Sequence, residues 1–267
     1  MLTNITLGQY YPVDSPVHRL DPRTKLLLTI GLIVAIFLAK SFLSYAILLL
    51  FILGVCRLAR VPVRMLLRGL KPLRLILIIT FLLNLFFTPG DTVLLQFWII
   101  RITKEALYQA LFFSLRLVFL VTGASLLTLT TSPVALSDAI ELLLTPLKKL
   151  HFPAHELAMM MTIALRFIPT LLEETDKIMK AQIARGADFE SGNLISRAKA
   201  MVPLLVPLFV SAFRRAGDLA MAMESRCYHG GEGRTRLRVL KMGRADLLAF
   251  LALALLIALI VLEGFLF

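Results

Sequence analysis

The chain has 267 residues, 58% of them hydrophobic, and a mean hydropathy of +0.84. That composition leaves too little polar surface to cover a water-soluble globule, so an integral membrane protein is expected. The 29 Lys and Arg against 17 Asp and Glu give a net charge of +12 that is clustered, pointing to a basic aqueous region facing a membrane surface or protein partners. No basic stripe interleaved with aromatics occurs, which argues against nucleic acid.

The first twenty-five residues hold prolines, Asp14, Asp21 and "HRLDPRTK" before any apolar run, unlike a cleavable signal. A spanning helix needs about 20 mostly apolar residues. Leu26–Ala39 and Phe42–Val55, separated only by Lys40 and Ser41, read as a tight hairpin of two spans. Leu75–Phe87 gives a third, Ala106–Leu129 a fourth interrupted by Arg116, and Leu247–Phe267 a fifth. The predicted fold is therefore an all-α membrane protein of about five transmembrane helices, with a cytoplasmic domain of amphipathic helices between spans four and five. The boundaries are 1–131, 132–244 and 245–267.

Basic residues set the orientation. The segment before span one holds three, Arg57–Arg74 holds six and Ser132–Arg244 holds sixteen, whereas the first hairpin turn holds one and the loop between spans three and four holds two. Alternating topology thus gathers twenty-five on one side and three on the other, so the richer side is cytoplasmic. The N-terminus is expected inside and the C-terminus outside.

Within the insert, Ser132 and Pro133 open a short amphipathic helix ending near Pro146. A longer helical pattern runs from Ala154 to Gly186, with Pro169 expected to kink it or reset its hydrogen bonding. After the polar turn Asp188–Asn193 another runs through Pro203 and Pro207 to Arg226. Both finish on an arginine between small residues: Ala184, Arg185, Gly186 and Ser225, Arg226, Cys227. Such an arginine suits a helix C-terminus through the dipole and is equally able to fork onto a partner carboxylate. Spacing alone leaves the simple cap and the docking residue both open.

"DSPVHRLDPRTKLL" (Asp14–Leu27), "ALRFIPTLLEETDKIMKAQIARGAD" (Ala164–Asp188) and "AFRRAGDLAMAMESRCY" (Ala212–Tyr228), with "GRTR" at Gly233–Arg236, resemble the transmembrane T component of energy-coupling factor transporters. The resemblance follows nearly the whole chain in order. It implies a scaffold in a bacterial-type cell membrane whose two cytoplasmic coupling helices dock, through Ala184–Arg185–Gly186 and Ser225–Arg226–Cys227, in grooves of two ATP-binding cassette ATPase subunits. The second triplet departs from the commoner Ala-Arg-Gly at Ser225 and Cys227. It also implies a separate membrane-embedded S component that selects a vitamin or transition metal, with a T component dedicated to cobalt, nickel or biotin uptake as the alternative.

The phosphate-loop pattern G-x-x-x-x-G-K-[ST] is absent, so no ATP hydrolysis by this chain is expected, and neither a catalytic site nor a cofactor is read. His151 and His155 stand four apart, but Pro153 divides them and no third ligand has suitable spacing, so no metal site is read. Cys56 and Cys227 imply no disulfide framework. An intramembrane enzyme would need several ionisable groups at membrane depth, and the spans supply essentially Arg116. A self-sufficient secondary transporter would show repeated halves and broken polar spans, and neither appears. Asn84 reads as interhelical glue, and Gly31, Gly54 and Gly123 as sites of close packing.

Overall fold

The computed structural model describes residues 10–97, 100–150, 153–189, 193–230 and 240–266. His151, Gly233–Arg236 and Phe267, each singled out in the sequence, lie outside them. The elements in chain order are α1 (Pro22–Leu38), α2 (Phe42–Ala59), α3 (Val63–Leu70), α4 (Arg74–Phe87), β1 (Val93–Phe97), β2 (Ile100–Thr103), α5 (Lys104–Thr130), α6 (Pro133–Leu144), α7 (Ala154–Ala184), α8 (Leu194–Glu224) and α9 (Arg244–Leu266). Among the described residues the protein is all-α apart from β1 and β2, an antiparallel pair in which Phe97 faces Ile100. The sequence pattern there predicts only a loop between spans three and four.

The chain divides into two compact units. One comprises α1 to α5, the start of α6, and α9; the other comprises the rest of α6 with α7 and α8.

In the first unit, local chemistry fixes the helix starts. Asp21 accepts from the Arg23 N–H with Pro22 at the first helical position, and Ser41 accepts from the Ser44 N–H to open α2. The core is apolar: Ala35, Ile36 and Leu48 are fully buried, and Ile260 of α9 nearly so. Gly31 and Gly123 allow close approach as expected, because a Cβ would fall 2.5 Å from Leu253 Cδ2 and 3.1 Å from Leu32 Cδ2 respectively. Gly54 has nothing within 4 Å and does not pack in this way. Asn84 is also different from expectation, since its amide donates to the Thr80 carbonyl one turn back in its own helix (2.8 Å).

Polar clasps close both ends of this unit. At one end the Lys25 ammonium donates to the carbonyls of His18 and Thr130 at 2.9 Å, the Asp21 N–H donates to Asp246, and Arg23 donates to the Leu240 carbonyl. At the other, the hydroxyls of Ser41 and Ser44 donate to Glu263 of α9, which is 8% exposed. Glu263 corrects the expectation that Arg116 is essentially the one ionisable group in the spans. The period of α9 puts it on the same inward face as Leu256 and Ile260, where its carboxyl oxygens accept from the two hydroxyls. Arg116 donates to the Tyr45 hydroxyl and the Ala39 carbonyl, with its guanidinium 5.1 Å from the centre of the Phe112 ring. It is held by packing, hydrogen bonds and a cation–π contact.

The outer surface of this unit is apolar, with Leu50 71%, Leu75 68% and Phe87 80% exposed. Side chains of this kind facing outward on long helices fit contact with lipid rather than water. By length and composition six helical segments among the described residues are able to cross a membrane: α2, Val63–Phe87, α5, α7, Arg197–Glu224 and α9. The sequence reading had five, counting α1 and leaving out α7 and α8. At 17 residues α1 is shorter than any of these segments, while α7 and α8 are long but lower in mean hydropathy than the others. Their period mixes charged with apolar residues, which lowers the mean without removing the apolar face.

Candidate functional site

In the second unit α7 and α8 run antiparallel, as their polar contacts show. Gln182 donates to the Pro203 carbonyl (3.4 Å), while Glu174, two turns earlier in α7, accepts from Ser211 and Arg215, two to three turns later in α8. The Gln182 contact has a backbone cause. The Pro203 carbonyl would ordinarily accept from the N–H four residues on, but that residue is Pro207, which has none. A side chain from the neighbouring helix takes the vacant acceptor. Neither Pro169 nor the Pro203–Pro207 pair ends its helix, so α7 and α8 each continue for 31 residues.

Glu174 is the polar centre of the pair. Arg215 Nη2 lies 2.8 Å from its carboxylate, and the Ser211 hydroxyl bond, ahead of the Arg215 charge, holds its pKa below the ordinary value. Asp176 is lowered likewise by Lys180, one turn along the same exposed face. His155 Nδ1 sits 2.9 Å from Glu141 Oε1, and among the described residues no group of three His, Cys, Asp or Glu is placed to hold a metal ion.

Both helices end in the same way. After α7, the N–H of Gly186 donates to the Ile183 carbonyl and that of Ala187 to Gln182, with Gly186 at φ +86°. After α8, the N–H of Cys227 donates to Glu224 and that of Tyr228 to Met223, with Cys227 at φ +54°. Each is a Schellman ending, in which two carbonyls of the last turn are satisfied across a left-handed residue. The arginine immediately precedes that residue in both copies. Arg185 and Arg226 are exposed, and among the described residues neither takes part in an ion pair.

The structure does not bring the two triplets together. Because α7 and α8 are antiparallel, Ala184–Arg185–Gly186 lies at one end of the pair and Ser225–Arg226–Cys227 at the other, roughly 40 Å apart at 1.5 Å of rise per residue. Beside the Arg226 end, a groove of about 580 Å³ runs between the helices, lined by residues including Phe167, Ala216, Ala220, Met223, Tyr228 and His229. Sequence reasoning missed Ala187 and Tyr228, whose N–H groups complete the endings. The signal was there for the first, since a glycine just past a long periodic segment announces a Schellman ending. Cys227 carries no such signal, because its positive φ is imposed by the fold.

Residues 14–237 match the CbiQ family, described as cobalt transport protein. The chain belongs to the CbiQ/EcfT family. It is 58% identical over 255 residues to the energy-coupling factor transporter transmembrane protein EcfT of Thermosediminibacter oceani, covering 96% of both chains. It is 57% identical over 267 residues to EcfT of Acidaminococcus fermentans (100% of this chain, 98% of the relative) and 52% over 260 residues to that of Bacillus subtilis (97% and 98%). In this CbiQ/EcfT chain, both Schellman-ended arginines belong to the compact unit that holds α7 and α8.

Proposed function

We propose that this chain is the energy-coupling scaffold of an ATP-driven importer: a non-catalytic subunit whose two arginine-bearing helix ends each dock one ATPase subunit. The observation that carries the reading is the duplicated ending. Two helices of one unit stop in the same backbone geometry and expose the same planar cation, at opposite ends of an antiparallel pair. A scaffold for a pair of related subunits needs two equivalent contact points held well apart. Arginine suits this role because its fork pairs bidentately with a carboxylate.

In this reading α7 and α8 are cytoplasmic coupling helices rather than spans, and Ser132–Arg244 forms the cytoplasmic domain between membrane segments 1–131 and 245–267. Their charged residues support that placement, since Glu173, Glu174, Asp176, Lys177 and Lys180 within two turns of α7 would be costly in lipid. Closure of the ATPases on ATP would move the two docked ends relative to one another. The antiparallel pair, clasped at Glu174–Arg215, would pass that motion to a membrane-embedded S component carrying a vitamin or transition-metal ion. The "cobalt" of the family description and the "energy-coupling factor" of the relatives' names support this class of transport.

The test is retention of ATPase subunits on tagged chain purified in detergent, with transport assayed in parallel. Arg185→Ala/Arg226→Ala should release the ATPases while membrane insertion stays normal, each desolvated arginine being worth ~2–5 kcal/mol by the penalty of an unpaired partner charge. Arg→Lys should rescue in part, and Arg→Glu should be worse than Arg→Ala. Wild-type retention and transport by the double alanine variant would make both arginines caps.

A further inference from the structure

From Pro22 to Gly90 the chain contains no Asp or Glu, yet Arg57, Arg60, Arg64, Arg68, Lys71 and Arg74 crowd into eighteen residues of it. All six are exposed. Among the described residues Arg64, Arg68, Lys71 and Arg74 make no ion pair, and the carboxylate of Asp14, whose carbonyl accepts from Arg60, is held by Arg19 (2.6 Å).

Helix α3 sorts this segment into three stripes. Leu66 is buried and Gly69 faces α5, where a Cβ would come within 3.0 Å of Ser125 Oγ. Val63 and Leu67, one turn apart, are 45% and 56% exposed and form an outward apolar stripe. Arg64, Arg68 and Lys71 follow the same spacing one residue on and form a basic stripe beside it. A single turn of 3-10 helix (Lys71–Leu73) then leads into α4, which has no buried residue and after Arg74 carries no charge and only Thr80 and Asn84 as polar residues. An outward apolar stripe beside a basic one, continuous with a lipid-exposed helix, is the arrangement of a helix lying in a membrane interface.

We propose that α3 is an anionic-lipid site, in which Val63 and Leu67 enter the acyl boundary while Arg64, Arg68 and Lys71 bind the phosphates of acidic phospholipid headgroups. The apolar stripe favours lipid over a soluble acidic protein, because such a partner would leave Val63 and Leu67 in water. Juxtamembrane cations of this kind attract an acidic leaflet and are screened by salt. The site is separate from the arginine helix ends and does not depend on their docking role.

The experiment uses the full chain in neutral maltoside micelles, titrated with phosphatidylglycerol or phosphatidylcholine and read by native mass spectrometry. Wild type should take up phosphatidylglycerol at least tenfold more readily than phosphatidylcholine, with the preference falling as ionic strength rises. R64Q/R68Q/K71Q should lose the preference, and the charge-keeping R64K/R68K/K71R should retain it. R185Q/R226Q, which removes cations elsewhere, should also retain it even while releasing ATPases. Equal uptake of the two lipids by wild type, or an unchanged preference in the glutamine variant, would overturn the proposal. So would full competition by inorganic phosphate, which would mean a free-anion site, or loss of ATPase retention in the glutamine variant with lipid preference intact, which would mean a protein interface. If the glutamine variant fails to fold, the salt dependence and the charge-keeping variant decide.

Discussion

Gly186 and Cys227 hold the same place in two copies of one helix ending, both at positive φ and each one residue past an exposed arginine. Only glycine adopts that region without strain, since a Cβ there crowds the following carbonyl at about 1–2 kcal/mol. The α8 ending is thus the strained copy.

The two positions should respond to substitution in opposite ways. Gly186→Ala has open space around it but the wrong backbone angle, so it should destabilise by about 1 kcal/mol. Cys227→Gly should be neutral or stabilising by up to about 1 kcal/mol, the relieved strain being partly offset by added freedom in the unfolded chain. Thermal unfolding of the purified chain in detergent measures both, and equal losses at the two sites would show that the endings are not equivalent.

The Glu174 clasp should be sensitive to acid. Its folded pKa lies below the ordinary 4.5, so the stabilisation it gives is fully present above that pH and is lost as pH falls through the folded value. The pair is partly exposed, so a Glu174→Ala/Arg215→Ala double-mutant cycle should return only about 0.5–1 kcal/mol at neutral pH. The same cycle run well below the ordinary carboxylate pKa should return nothing measurable.

Glu263 should tolerate neutralisation better than isolation. Glu263→Gln keeps an acceptor for Ser41 and Ser44, whereas Ser41→Ala/Ser44→Ala leaves a buried carboxyl without its hydroxyl donors. The serine pair should therefore cost more, about 1–3 kcal/mol beyond the glutamine variant, part of it from the lost Ser41 cap. Detergent melting curves of the three proteins give the ranking.

Labelling tests the orientation. Once the exposed Cys227 is replaced by serine, with Cys56 buried, cysteines at Lys40 or Asp91 should react with a membrane-impermeant maleimide in intact cells. A cysteine at Asp188 should react only after permeabilisation. The reverse pattern would invert the topology and remove the cytoplasmic placement of both arginines.

Composition and apolar run length alone determined that this is a helical membrane protein, because nothing but continuous helix satisfies the backbone of a long apolar segment in lipid. The helix start at Ser132 was legible too, since a cap acts within a few residues of its own position. So were the two exposed arginines, which follow from the end of a helical period. The partners of isolated polar residues were not legible: Asn84 turns back on its own helix, Glu263 meets the α1–α2 turn more than two hundred residues away, and Gln182 reaches the Pro203 carbonyl. Those pairings depend on which helices become neighbours and in what register, a choice made by the summed packing of many apolar side chains and carried by no local pattern. The antiparallel α7–α8 pairing, and with it the separation of Arg185 from Arg226, was decided at that level. So was the left-handed backbone of Cys227, a conformation that its side chain opposes and the surrounding fold imposes.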